Sequence, residues 1–217
     1  MDLKKTYFVS GIDTDAGKSY ATGALAARWR SEGINVVTQK FIQTGCDGGV
    51  SEDITLHRKL MGTGLLPEDL DGTTCPIRLR YPASPDLAAR LEGKEIDLAP
   101  VASSTRKLLE KFDVVLVEGA GGLLVPITGL YTMLDYVAEH SLPLILVTNP
   151  KLGSVNHTLL SLEVCRARNM NVDMLVYNLH PETSPEITAD TRHTLQAYIR
   201  QFHPGCEFTE IPFIAAE

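Results

Sequence analysis

The chain has 217 residues with a formal net charge of −7, and it is 44% hydrophobic and 22% charged. This is a globular composition, long enough to bury a substantial core. The acidic balance, with no run of basic residues, excludes general partnership with nucleic acid or an anionic membrane, because such binding depends on basic clusters meeting phosphates. No apolar run reaches the roughly 18 residues needed to span a bilayer. The opening MDLKKTYFVSG lacks the apolar stretch of a secretion signal, so a cytoplasmic location is expected. Cys46, Cys75, Cys165 and Cys206 have no metal-type or redox-type spacing and read as reduced, unlinked thiols.

The first expected element is a short buried strand from Thr6 to Ser10, centred on Tyr7, Phe8 and Val9. A glycine-containing loop leads to a helix from Lys18 to Ser31, with Ala21, Leu25, Ala26 and Trp29 at helical spacing and Gly33 beyond its end. Asn35 to Lys40 reads as a second strand, followed by the polar loop TGCDGGVSED and a helix from about Glu52 to Met61. The proline-rich stretch from Leu65 to Pro85 reads as loops with short pieces of structure. Pro85 can open a helix over Asp86 to Glu92, and a longer helix from Leu98 to Lys111 leads into a strand from Val114 to Val117, with GAGG directly after it. Further strands are expected at Leu144–Val147, Val172–Tyr177 and Glu210–Phe213, and further helices near His157–Arg168 and Asp190–Phe202. Short, continuously apolar strands alternating with helices predict an α/β fold. Its central sheet is mostly parallel, with helices on both faces. With no flexible linker and no repeat, one domain is the simplest organisation.

GIDTDAGKS, Gly11 to Ser19, lies between a strand and a helix, the setting in which such a loop holds phosphate. Backbone N–H groups in the turn and at the helix start point toward the anion. Lys18 can reach the β- and γ-phosphates, Ser19 can offer its hydroxyl to Mg²⁺, and Gly17 permits close backbone approach. The common pattern has a glycine where this chain has Ile12. Two acids, Asp13 and Asp15, also sit in a loop that receives a polyanion. They imply a further task, either meeting a cationic group on a second substrate or orienting backbone amides.

Glu118 is placed at a strand end, where ligands of a parallel α/β sheet bind, and reads as a Mg²⁺ carboxylate. Asp53 can complete that oxygen site or can instead cap a helix. Lys40, ending the second strand, can carry its ammonium to the γ-phosphate or can lie on the surface. Thr44 follows after a short turn and can donate to the same phosphate or to a carboxylate. His57 and His157 fall on expected helices and read as satisfied or exposed side chains. Phosphoryl transfer needs alignment and charge neutralisation more than a covalent nucleophile, and the chain has no GxSxG or HExxH pattern. These residues describe an ATP-consuming enzyme with a small second substrate.

YFVSGIDTDAGKS, VEGAGGLLVP (Val117–Pro126) and KLGSVNH (Lys151–His157), with SPDLAARLEG and EIPF in support, resemble in order the motifs of the dethiobiotin synthetase family over nearly the whole chain. The resemblance implies a P-loop NTPase-like homodimer. It would use ATP, Mg²⁺ and CO₂ to close the ureido ring of 7,8-diaminononanoate through a carbamate and a carbamic–phosphoric anhydride. It also implies roles by position. Lys18, Lys40 and Thr44 serve catalysis. Asp13, Thr14, Asp15, Ala16, Gly17, Lys18, Ser19, Tyr20, Asn178 and Pro212 hold nucleotide. Thr14, Lys40, Thr44, Gly153, Ser154 and Asn156 bind substrate, and Ser19, Asp53 and Glu118 hold the metal. Several positions depart from the family pattern. Asp15 stands where glutamate is frequent, and Leu179 follows Asn178 in place of aspartate. The chain ends four residues after Phe213, so by the resemblance a longer C-terminal tail is expected to be missing and part of the nucleotide pocket to be more open. No tyrosine occurs over Asp190–Thr194 for a partner subunit's substrate carboxylate, leaving Thr191 or His193 to stand in. Two other P-loop groups fit less well. Amide synthases of cobalamin precursors need a glutamine-hydrolysing domain, and partitioning ATPases place a second lysine in the stretch held here by Ile12, Asp13 and Asp15.

Overall fold

The computed structural model describes residues 5–212. Strand β1 (Lys5–Gly11) leads through the phosphate loop into α1 (Lys18–Ser31). Then follow β2 (Val36–Lys40), α2 (Glu52–Leu60), the short α3 (Pro67–Leu70), α4 (Pro85–Leu91) and α5 (Ala99–Lys111). The chain continues with β3 (Val114–Gly122), a small hairpin of β4 (Pro126–Thr128) and β5 (Tyr131–Thr132), and α6 (Met133–Glu139). Next come β6 (Leu144–Thr148), α7 (Ser154–Ala167), β7 (Val172–Asn178), α8 (Pro185–Phe202) and β8 (Glu207–Ile211).

Six strands form one sheet in the order β2-β3-β1-β6-β7-β8, every neighbouring pair parallel. Because side chains alternate across a strand, each strand feeds both faces. Phe8, Val37, Val115, Val117, Leu144, Leu146, Leu175 and Tyr177 face one core, which also holds Leu108 of α5, Leu134 of α6, Leu162 of α7 and Leu195 of α8. Val9, Val36, Val114, Leu116, Ile145, Val147 and Val176 face the other, where α1 supplies Ala21, Leu25, Ala26 and Trp29. Burial on both faces is why these strands are apolar almost without interruption. The P-loop NTPase-like α/β architecture expected from the sequence is the one found. No helix among the described residues is long and apolar enough to cross a membrane.

Several expected boundaries move. Strand β3 does not stop at Val117 but runs on to Gly122, which pairs with Gly11 of β1 after an irregularity in the register beyond Glu118. A side chain at Gly119 would come within 2.8 Å of the Phe8 ring, so glycine permits this close packing. Helix α7 starts at Ser154, after Gly153 in a left-handed conformation, three residues before the expected start. Helix α8 starts at Pro185 and not near Asp190, because Ser184 caps it by accepting from the Ile187 amide and proline suits its first turn. Strand β8 is shifted to Glu207–Ile211, and Phe213 lies outside the described residues. The hairpin and α6 come in addition to the elements the sequence predicts.

Candidate active site

The phosphate loop is closed from both sides. Gly17 adopts φ 81°, and a Cβ there would fall 2.0 Å from Asn178 Nδ2, so only glycine fits under the Asn178 amide. Asn178 Nδ2 donates to the Ala16 carbonyl at 3.4 Å. Its buried Oδ1 has no hydrogen-bond partner within the protein, so an acceptor is available beside the loop. From the other side Asn149 Nδ2 donates to the Asp15 carbonyl at 3.1 Å. Of the loop acids, Asp13 bonds a loop amide: its Oδ1 accepts from the Thr14 amide at 2.7 Å. Asp15 is exposed. Lys18 Nζ lies over the loop, donating to the Asp13 and Thr14 carbonyls at 2.9 and 3.1 Å. Burial pushes this ammonium down to about 8, against the attraction of Glu118, and the charge of Lys40 adds to the depression.

The cluster beside the loop follows from strand parity. Thr38 and Lys40 are two residues apart on β2, so they share the sheet face covered by α1 and α2, and Lys40 is paired in register with Glu118 of β3. Lys40 is 5% exposed and Glu118 fully buried. Lys40 Nζ lies 2.7 Å from Glu118 Oε1 and 2.5 Å from Asp53 Oδ2. Ser19 Oγ donates to the same Glu118 oxygen at 2.8 Å. Burial alone would raise the Glu118 carboxyl, but the Lys40 charge and the His57 hydrogen bond outweigh it and hold the group well below the usual carboxylate range. Burial likewise works against the Lys40 charge, yet Glu118 and Asp53 together raise it above the ordinary lysine value. Both groups are therefore charged at neutral pH.

Two sequence expectations change here. Glu118 lies within β3 and not beyond its end, since the strand continues four residues past it. Asp53 does not cap α2; Ser51 does, accepting from the Ile54 amide at 3.3 Å, and this leaves Asp53 in the first turn facing Lys40. Ser19, Asp53 and Glu118 thus converge, and Lys40 is buried among them. A hydroxyl and two carboxylates form a hard oxygen set suited to Mg²⁺, which takes few protein ligands and completes its shell with phosphate oxygens and water. No group of three or more His, Cys, Asp or Glu able to cage a metal occurs among the described residues.

The remaining expected residues are more dispersed. Thr44 is half-buried in the loop after β2, where its carbonyl accepts from Gln43 Nε2 at 3.3 Å, outside the Lys40 cluster. Tyr20 Oη donates to the Pro212 carbonyl at 3.4 Å, joining α1 to the chain beyond β8. Ser154 is buried, its hydroxyl donating to Asn149 Oδ1 at 2.6 Å and its amide to the Lys151 carbonyl at 3.0 Å. It braces the asparagine that holds the phosphate loop. Gly153, Asn156 and His157 are exposed. Thr14 and His157 help line an apolar cleft of about 450 Å³ with Ile12, Leu123, Val125 and Leu160. Thr191, and not His193, lines a separate hollow of about 400 Å³ with Leu152 and Gly153. His57 is the residue whose place the sequence did not reveal. It is satisfied, as expected of a helical histidine, but its partner is Glu118, at 2.7 Å.

The model of the AAA domain family matches residues 5–215. A signal recognition particle receptor, FtsY from Elizabethkingia anophelis, superposes with a TM-score of 0.50 at 16% identity over 99% of this chain and 60% of that one, which is a likeness of fold alone. The ATP-dependent dethiobiotin synthetase BioD 2 of Pasteurella multocida is 46% identical, covering 98% of this chain and 100% of the relative. That of Haemophilus ducreyi is 50% identical over 95% and 97%, and the BioD of Chlorobaculum tepidum 50% over 91% and 82%. Identity of this extent over nearly the full length of both chains goes well beyond a shared fold: the chain belongs to the ATP-dependent dethiobiotin synthetase family.

Proposed function

We propose that this chain is a dethiobiotin synthase, closing 7,8-diaminononanoate and CO₂ to a cyclic urea at the expense of ATP, which becomes ADP and phosphate. The carrying observation is the buried Lys40–Glu118 pair, with Asp53 at its edge, set against the phosphate loop, in a family whose members include ATP-dependent dethiobiotin synthetases. One substrate amine adds to CO₂ and loses a proton, giving a carbamate. A carbamate oxygen then takes the γ-phosphoryl group as the bond to the β-phosphate breaks and ADP leaves. The second amine attacks the carbonyl carbon, the C–O bond to phosphate breaks, and the five-membered ring closes.

Phosphate is held by the loop amides and Lys18, with Lys40 positioned to reach the transferring group. Preorganised charges of this kind supply most of the stabilisation that phosphoryl transfer requires. Ser19, Asp53 and Glu118 would hold Mg²⁺, which supplies charge neutralisation at the phosphates. Asn178 Oδ1 offers an acceptor to the nucleotide base, flanked by Tyr20 and Pro212. The cleft between Thr14 and Leu160 suits the alkyl chain of the substrate, with both amines toward Thr14, Lys40 and Thr44. Holding both amines in one rigid pocket makes ring closure intramolecular. In this reading Gly153 and Asn156, both exposed, receive the substrate carboxylate across a homodimer interface. ATP as substrate and four free thiols fit a cytoplasmic enzyme working as a single catalytic domain, without nucleic-acid or membrane partners.

The test is ADP release with Mg²⁺-ATP and bicarbonate, with and without the diamine, followed by mass analysis. Diamine-dependent ADP and a product heavier by one CO₂ less one water are expected. ADP release indifferent to the diamine would overturn the reading.

A further inference from the structure

Glu118 is held by more than its cation. Of its two oxygens, Oε1 accepts from Ser19 Oγ and Lys40 Nζ on the phosphate side, at 2.8 and 2.7 Å. Oε2 points toward α2 and meets His57 Nε2 at 2.7 Å. His57 is fully buried, and its Nδ1 lies 3.0 Å from Thr38 Oγ1. Thr38 is held in turn from behind. Arg58, the next residue on α2, is a donor only, and its Nη1 gives a hydrogen bond to Thr38 Oγ1 at 2.9 Å. Arg58 is itself clamped by Asp69 through two bonds of 2.8 Å, and Asp69 also accepts from the Leu66 amide and from Thr74 Oγ1. Glu118 is a carboxylate that can only accept, so His57 Nε2 donates to it, while Nδ1 pairs with the Thr38 hydroxyl that Arg58 holds in place.

We propose that His57 is a positioning residue: through a fixed line of hydrogen bonds from Asp69 and Arg58 by way of Thr38, it locks the Glu118 carboxylate so that Oε1 faces the metal and phosphate. The proposal rests on the reading of Glu118 as a metal carboxylate. Two features argue that the line is more than core packing. Every polar atom along it has its partner, which is how a buried network orients a group without leaving an orphan. It also ends on the one carboxylate that Ser19 and Lys40 share, and outer partners of metal-site carboxylates are worth roughly 10- to 100-fold in metal affinity or activity. Without His57, Oε2 would be left buried and unpaired, and the carboxylate would be free to turn toward Lys40 with both oxygens.

The experiment uses three variants of the full chain. Glutamine carries an amide nitrogen about as far as imidazole Nε2, so His57→Gln keeps the donor to Glu118. Asparagine reaches only the Nδ1 position, so His57→Asn keeps the Thr38 side and loses Glu118. His57→Leu fills the space and loses both. Mn²⁺ affinity is read from the electron paramagnetic resonance signal of free Mn²⁺, with protein in excess over ADP, and ADP affinity is measured separately in EDTA. We expect His57→Leu and His57→Asn to bind Mn²⁺ roughly 10- to 100-fold more weakly than the wild type. His57→Gln should stay within a few-fold, and all three should keep metal-free ADP binding. A leucine variant that does not fold leaves the asparagine–glutamine comparison to decide. Equal Mn²⁺ affinity in the asparagine and glutamine variants would overturn the role of His57. Absence of Mn²⁺ binding by the wild-type ADP complex would instead overturn the metal assignment of Glu118, and the role of His57 with it.

Discussion

Replacing Lys40 by alanine removes the cation that lies between Glu118, which is fully buried, and Asp53. Two effects should follow, and they can be measured separately. The first is on stability. Removing one partner of a buried ion pair costs about 3–5 kcal/mol, because the charge left behind cannot return to water. Asp53 is at the edge and can turn outward, whereas Glu118 keeps only its bonds from Ser19 and His57. For a chain of this size a loss of that order lowers the melting temperature by roughly 6 to 20 °C. Lys40→Met, which preserves most of the apolar stem, isolates the charge from the packing. The pH at which to look follows from the shifts. Glu118 is depressed, so its contribution is present above the unfolded carboxyl pKa and lost as pH falls through the lower folded value. Lys40 is raised, so its contribution is present below the unfolded lysine pKa and lost as pH rises through the higher folded value. The full difference between variant and wild type is thus expected between about pH 6 and 9.

The second effect is on rate. Mg²⁺ with ADP brings a cation back beside Glu118 and should recover much of the lost melting temperature, but it cannot replace the ammonium aimed at the transferring phosphate. Turnover should remain lower by roughly 100- to 1000-fold, the usual cost of deleting one preorganised donor. Calorimetric melts in EDTA and in Mg²⁺-ADP, paired with diamine-dependent ADP release, test both. Near-wild-type turnover by a folded Lys40→Ala would refute a role for Lys40 in the chemistry. An unchanged melting temperature in EDTA would refute the argument that Lys40 neutralises Glu118.

Gly17→Ala should abolish most nucleotide binding while the sheet stays folded, because its φ of 81° and the 2.0 Å approach of Asn178 leave no room for a methyl group; unchanged ADP affinity by calorimetry would contradict this. Asn156→Ala, altered at an exposed residue beside the left-handed Gly153, should weaken diaminononanoate more than ATP, and separate titrations with each ligand would expose an equal loss as an error. Asp135→Asn should lower stability by about 1 kcal/mol near neutral pH, since Asp135 reciprocates the Thr132 cap of α6. The Thr132 hydrogen bonds, with Arg168 adding, bring the Asp135 carboxyl down to about 2. Its contribution is therefore full above the unfolded aspartate value and fades as pH falls toward 2, so urea midpoints of variant and wild type should converge in acid.

What the sequence revealed and what it hid divide along physical lines. Strands such as Leu144–Thr148 are buried on both faces and announce themselves as unbroken apolar runs, and GKS between a strand and a helix fixes the phosphate loop by local geometry alone. Where the readings slipped, the missing information was either faint or remote. The cap Thr132 with Asp135 and the apolar Met133, Leu134, Tyr136 and Val137 did carry the signature of α6, but over only seven residues. Ser184–Pro185 likewise marked the start of α8 inside a stretch whose polar composition reads as loop. The continuation of β3 through GAGG could not be inferred locally, because it depends on the closeness of Phe8 and Gly11 on a neighbouring strand and on Gly121 taking a φ of 65°. The site shows the same division. Lys18 and Ser19 were legible from spacing, whereas Lys40 could equally have been a surface lysine until its register partner Glu118 was known. His57 is the extreme case. One histidine on a short amphipathic helix carries no local mark of function, and its importance arises when α2 packs over the face that Thr38, Lys40 and Glu118 share by strand parity. In a parallel sheet the residues that touch substrate sit in motifs at strand ends. The residues that aim them come from helices many positions away, so the second kind is visible only after the chain is folded.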